Sequence, residues 1–247
     1  MNSPSVADPL EPVTEDWQRA LAIVAHPDDL EFGAAAAIAR WTDQGKDIVY
    51  ALVTSGEAGI DGMAPAETKG VREEEQRASA ALVGVSEVEF LGEPDGVLEY
   101  GVALRRVLTR AIRQHRPEIV ITNNFRDTWD GRYALNQADH IATGRATLDA
   151  VRDAANRWVF TDLGLDPWDG VKQVWGASSP ASGHAADVTE TFDRGVASLR
   201  AHDAYLRGLG SGDFDVEEFL EAMGRRTGTR LGCRYATAFE VFFFSEF

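Results

Sequence analysis

The chain has 247 residues, 44% of them hydrophobic and 26% charged, the balance of a soluble globular protein long enough to bury a sizeable core. Forty acidic against 24 basic side chains leave a formal charge of −16, a field that repels nucleic acid and anionic membrane surfaces. No apolar run approaches the roughly 20 residues needed to span a bilayer, and the single cysteine, Cys233, excludes a disulfide framework within the chain.

Residues 1–16 are polar, acidic and proline-containing, with neither the basic nor the apolar region of a secretory signal. They read as a loose N-terminal arm before a single domain over 17–247, and a cytoplasmic location is expected. Two periodicities then alternate. "LAIVA" (21–25) predicts a buried strand, 30–44 a helix ended by Gly45, and 47–55 a second strand. A helix follows over 71–84, closed by Gly84, then a strand over 88–92. Over 101–115, Leu104, Val107, Leu108, Ala111 and Ile112 mark one face of an amphipathic helix, which Pro117 stops. A fourth strand is predicted over 118–123 and a helix over 138–155. This order predicts an α/β fold with a Rossmann-like, mostly parallel sheet and helices on both faces. Past residue 156 the pattern loosens into a C-terminal helix and strand elaboration. It has a strand over 171–178, a helix over 188–209 with Thr189 as N-cap, and a helix over 215–226. The apolar "YATAFEVFFF" (235–244) is either a buried strand or an edge used for homo-oligomerisation.

The polar residues follow the strands. His26 to Glu31 come after the first, Ser55, Glu57 and Asp61 after the second, and Glu93 and Asp95 after the third. Asn123, Asn124, Asp127, Asp130, Asp139 and His140 come after the fourth. In an open parallel sheet all of these share one rim, where ligands bind. The first turn lacks the G-x-G-x-x-G of a dinucleotide site and carries "HPDDLE" instead. Histidine and carboxylate at a rim suit a divalent metal, zinc foremost. His26 and Asp29, three apart, can turn toward one point, with Asp28 between them within reach of a metal-bound water. A third ligand must come from the fourth strand's loop, where His140 is the candidate. The same aspartates would equally serve as first-turn helix caps, and an isolated histidine at a helix start is commonly a surface or capping residue.

"AHPDDLE" resembles the signature of the LmbE-like, or PIG-L, family of metal-dependent N-deacetylases. "REEEQRASAALVGV", "FLGEPDG", "ADH" and "RYATAFE" are similar to further family segments, in the same order. The resemblance implies one zinc ion held by His26, Asp29 and His140, with Asp28 as general base and Glu31 as a support. It also implies that Arg72 and Asp95 contact a small N-acylated substrate: an amino sugar, a sugar conjugate or a natural product. Gln137 departs from the family pattern, standing where a histidine often acts as electrostatic catalyst or general acid. Asp139, which would hold that histidine, is then left to orient Gln137 or a ligand. His184 or His202 would supply the missing imidazole beside the substrate, and His115 reads as a surface residue. Trp129 and Tyr133 could stack on a sugar face. The alternatives are an amidase of a thiol-sugar conjugate and a metal-binding module whose catalysis Gln137 impairs.

Overall fold

The computed structural model describes residues 8–129, 131–209 and 214–244. In chain order the elements are β1 (Glu11–Pro12), β2 (Arg19–Val24), α1 (Asp29–Gly33), α2 (Ala35–Asp43), β3 (Asp47–Leu52), α3 (Pro65–Leu82), β4 (Glu87–Phe90), α4 (Val102–His115), β5 (Ile119–Asn123) and α5 (Ala138–Ala155). There follow β6 (Gln173–Ala177), β7 (His184–Asp187), α6 (Phe192–Arg200), α7 (Asp203–Gly208), α8 (Val216–Leu231) and β8 (Ala236–Phe243). One sheet holds all eight strands in the order β1-β7-β8-β6-β5-β2-β3-β4, parallel except at β8. The expected mixed α/β architecture is thus present.

Alternation along β2 divides the core. Ala20, Ala22 and Val24 face one side and pack with α1, α2, α3 and α6. Leu21, Ile23 and Ala25 face the other, under α4 and α5. The first side is filled by Trp17, Trp41, Trp175 and Phe239, all essentially sealed from solvent, with ring centroids 5.3–5.9 Å apart. From β2 the chain moves outward to β3 and β4, then returns to place β5 against the other flank of β2. The crevice between β2 and β5 is therefore the topological switch point, where an open α/β sheet binds its ligand.

Several boundaries differ from the sequence reading. The arm is not loose over its described part, 8–16: Leu10 and Val13 are buried, β1 pairs with β7, and Glu15 accepts hydrogen bonds from Arg40 and Trp41. The remainder, 1–7, lies outside the described residues. The helix expected over 30–44 is two, because Ala34 leaves the helical region at φ −129°. α3 begins six residues early, since Pro65 occupies its first turn, where a missing N–H costs nothing. The helix expected over 188–209 is also two, interrupted at His202 (ψ 49°), and Thr189 does not cap it. Asp215 does cap α8, accepting from the Glu217 and Glu218 N–H groups. β8 is an interior strand between β6 and β7, not an edge. Among the described residues no helix is long and apolar enough to cross a membrane.

Candidate active site

β2 delivers its chain end to the switch point, and the backbone turns sharply there. Asp28 takes the left-handed conformation (φ 84°) and α1 starts at Asp29. The two adjacent carboxylates consequently serve different partners. Asp29 Oδ2 accepts the His26 backbone N–H at 2.9 Å, and its Oδ1 lies 2.9 Å from His140 Nε2. Asp28 Oδ2 accepts from Arg72 Nη2 at 3.0 Å.

Hydrogen bonding assigns the protons of both imidazoles. His26 Nε2 faces Asp95 Oδ1 at 3.1 Å and Asp139 Oδ2 at 3.3 Å, so it donates. The Asn136 amide donates to the Asn124 and Arg126 carbonyls, which leaves its Oδ1 to accept from His140 Nδ1 at 2.9 Å. The other two ring nitrogens, His26 Nδ1 and His140 Nε2, then bear lone pairs, and they face each other at 3.2 Å. Together with the Asp29 carboxylate they form a buried set of donor atoms all within 4.8 Å of one another. Three such groups converging on one point favour positive charge among them, either a shared proton or a metal ion. Two imidazoles and a carboxylate suit zinc, whose tetrahedral ligands at 2.0–2.2 Å are spaced by roughly 3.3–3.6 Å. The outer partners on each ring follow the usual second layer of such sites. These residues therefore fit a divalent metal.

The electrostatics favour positive charge at this point, which a proton on His26 Nδ1 supplies when no metal is bound. Burial opposes charge on His26, yet the carboxylates of Asp139, Asp29 and Asp95 outweigh it and push its pKa up to about 12. Asp29 is also opposed by burial, but the two histidines hold its carboxyl well below the usual range. For Asp28, burial dominates the opposing Arg72 guanidinium and raises the pKa to about 6. A base of that strength, 5% exposed beside a cation site, can accept a proton near neutral pH.

Arg72 is fixed from three directions: by Asp28, by the Pro27 carbonyl at 2.6 Å and by the Gly56 carbonyl at 3.2 Å, with Tyr205 stacked 4.1 Å from the guanidinium. Gly56 and Gly59 are required beside it, since a Cβ at either would overlap the guanidinium. Asp95 is behind His26, with its second oxygen on the Ala58 N–H. Asp139 accepts the Gly96 and Leu98 N–H groups at 2.7 and 3.0 Å besides facing His26. It therefore orients a proposed ligand and ties it to the loop after β4.

Gln137 is exposed at the N-cap of α5, and its side chain makes no hydrogen bond among the described residues. His184 is not brought to the cluster. It starts β7, four strands from β2, roughly 19 Å away at ~4.8 Å per strand, and faces Glu11. His202 is close but fully buried, 3.7 Å from Glu31. Neither remaining histidine presents an imidazole to the cleft. His115 does not lie free on the surface either; it faces Glu89 at 3.0 Å. Asp130 lies outside the described residues.

The sequence reading missed Asn136, Gln76 and Tyr205. Asn136 is four residues before His140, a spacing that marks one face of a helix start. Gln76 belongs to a buried polar stripe on α3 with Thr68, Arg72 and Ser79, a pattern in which polar residues take the positions usually held by core ones.

Residues 21–151 match the family model PIG-L, GlcNAc-PI de-N-acetylase. A diacetylchitobiose deacetylase of Thermococcus kodakarensis is 29% identical over 90% of this chain and 82% of its own. A 1D-myo-inositol 2-acetamido-2-deoxy-alpha-D-glucopyranoside deacetylase of Saccharopolyspora erythraea is 26% identical over 63% of this chain, and the match spans only 64% of that relative. In three dimensions the N,N'-diacetylchitobiose deacetylase of Pyrococcus horikoshii superposes with a TM-score of 0.81, covering 92% of this chain and 85% of that one at 24% identity. With the family model spanning more than half its length, the chain belongs to the PIG-L (LmbE-like) family of amide-hydrolysing deacetylases.

Proposed function

We propose that the protein is a zinc-dependent N-deacetylase of an N-acetylated amino sugar or amino-sugar conjugate. The observation that carries this reading is the convergence of His26 Nδ1, His140 Nε2 and Asp29 beside a buried, unprotonated-capable carboxylate, Asp28. The sugar substrate is supported by the relatives, whose names specify acetylated amino sugars.

Zinc bound by His26, Asp29 and His140 would supply a Lewis acid for the amide carbonyl and acidify the attacking water toward a pKa of about 7. Asp28 takes the water's proton. Arg72 holds that carboxylate in place, and Tyr205 covers the guanidinium. Asp95 and Asp139 hold the His26 ring so that Nδ1 faces the cation, and Asn136 does the same for His140 Nε2. Gln137, at the exposed start of α5, can offer an amide N–H to the developing oxyanion but no proton. The leaving amine then receives its proton from Asp28, which acts as both base and acid.

The test is metal analysis and zinc-binding calorimetry on the purified chain, with a screen of N-acetyl sugars and conjugates and Asp28→Ala as control. One zinc per chain and turnover abolished by Asp28→Ala are expected. Gln137→Ala should weaken turnover rather than end it. A chain that cannot bind zinc, or an Asp28→Ala variant as active as the parent, overturns the reading.

A further inference from the structure

One helix holds Asp28 at both ends. From α3, Arg72 pairs with its carboxylate, and Gln76 Oε1, one turn further on, accepts its backbone N–H at 2.9 Å. The left-handed conformation of a non-glycine residue is strained and persists only where the surroundings impose it. Behind Gln76 is a sealed polar group that has no other outlet. Gln76 Nε2 donates to Glu31 Oε1 at 2.8 Å, and the Ser79 hydroxyl donates to the same oxygen at 2.6 Å. The Ser79 and Ser198 hydroxyls are 2.7 Å apart. Glu31 Oε2 faces His202 Nε2 at 3.7 Å, an ion-pair separation. Gln76, Ser79, Ser198 and His202 have no exposed surface, and Glu31 has 2%.

The chemistry of these groups sets a direction. A glutamine amide can flip, and only one orientation offers an oxygen to Asp28. Glu31, an acceptor only, compels the Nε2 end of Gln76 toward itself and so turns Oε1 to the Asp28 N–H. His202 supplies the counter-charge that lets Glu31 stay buried. The kink between α6 and α7 occurs at His202, where that ring enters the network. An apolar contact between α1 and α3 would hold the helices together at lower cost than a buried charged network, so packing alone does not account for it.

We propose that Gln76, oriented by Glu31 and through it by His202, is a positioning residue that locks the base Asp28 in its left-handed conformation and so presents its carboxylate beside the cation cluster. The proposal rests on Asp28 being the base of the reaction above. Gln76→Met keeps the volume of the side chain and removes the acceptor for the Asp28 N–H. The full chain, zinc-loaded, is compared with Gln76→Met and Asp28→Ala for kcat, KM and zinc content on the N-acetyl sugar turned over by the parent, and a crystal structure of Gln76→Met reads φ at residue 28.

Expected for Gln76→Met are a kcat lower by about 100-fold, the scale of a misplaced reacting group, KM within about twofold, unchanged zinc content, and a residue 28 that leaves the left-handed region. Where Gln76→Met does not fold, Ser79→Ala removes one donor from Glu31 and should lower kcat by about fivefold, the size of one lost hydrogen bond. Native kcat in the folded variant, or a loss of kcat matched by loss of zinc, overturns the proposal. Asp28→Ala separates the two levels: if it is inactive while Gln76→Met is native, only the positioning role fails, whereas an active Asp28→Ala removes the base reading itself.

Discussion

The Asp139 carboxylate has three partners, the Gly96 and Leu98 N–H groups and His26 Nε2, and none of them is the Gln137 side chain. Its effect on the site runs through the tautomer and orientation of His26. Asp139→Asn offers a donor where His26 also donates, so the ring is expected to turn or change tautomer. Zinc affinity should fall by about 10–100-fold, as for other outer partners of ligating histidines, measured by competition with a chromophoric chelator. Unchanged affinity together with lost activity would instead place Asp139 at the substrate. His26, Asp28, Asp29 and His140 were legible as candidates because parallel strands bring their chain ends to one rim, although taken singly the aspartates read equally as helix caps and His140 as a surface residue. Asp139 was legible as a site residue, but its service to His26 depends on a loop from β4 arriving beside it. Asn136 was not legible, because an asparagine in a loop is ordinary and its value here comes from which end of the amide faces His140.

Elements with strong apolar periodicity, α4 above all, could be read directly. α3 could not be bounded at its start, because its buried stripe is polar and its first turns look like loop. The breaks between α1 and α2 and between α6 and α7 were equally hidden, since the second is made by His202 turning in toward Glu31, a tertiary demand that local pattern does not carry. The loop between β3 and α3 acts as a wall for Arg72. Gly59 has no Cβ to clash with a guanidinium that three acceptors immobilise. Gly59→Ala should cost about 1–3 kcal/mol, the usual range for overpacking, and should lower kcat as well, because Arg72 must shift from Asp28. Thermal melts and steady-state kinetics on one preparation check both, and a variant with native stability and native kcat would show that the loop yields instead. The loop after β5 carries Trp129, whose ring meets His140 edge-on at a centroid distance of 5.5 Å while 40% of the residue stays exposed. Asn136 and a hydrogen bond from the Trp129 N–H to the Ala134 carbonyl at 2.7 Å steady that loop. Trp129→Ala is expected to raise KM for an N-acetyl sugar by about tenfold, from the loss of an aromatic contact worth about 0.5–1.5 kcal/mol beyond its area, and to leave kcat within about threefold. An equal effect on an acyclic N-acetyl amine would show that the indole shields His140 rather than holding a sugar ring.

Across the whole molecule, the strand order explains why residues from four separate segments meet. The β-α-β-α-β rhythm made a shared rim legible, because parallel strands must end on the same side. It could not reveal that β8 enters the sheet between β6 and β7, since an apolar strand reads alike at an edge and in the interior. The rim concentrates negative charge at the switch point. Asp28, Asp29, Glu31, Asp95 and Asp139 are gathered around three basic side chains, Arg72, His26 and His202; burial lowers the pKa of His202, but the Glu31 carboxylate outweighs burial and raises it. This imbalance belongs to the folded state alone, because the proposed ligands His26, just after β2, and His140, in α5, are 114 residues apart in sequence and do not meet in an unfolded chain. A divalent ion bound there must therefore stabilise the fold by linkage. At a free metal concentration 100 times the dissociation constant the contribution is about 2.7 kcal/mol. For a chain of this size each kcal/mol moves Tm by about 2–4 °C, so chelation is expected to lower Tm by about 5–11 °C. Zinc should restore the parent and fail to restore His140→Ala, which lacks one of the three donor groups. A chelated, metal-free parent that melts at the same temperature as the zinc-loaded form would show that the ion does not occupy the cleft between β2 and β5. A His140→Ala variant that regains its Tm on adding zinc would place the ion on other side chains.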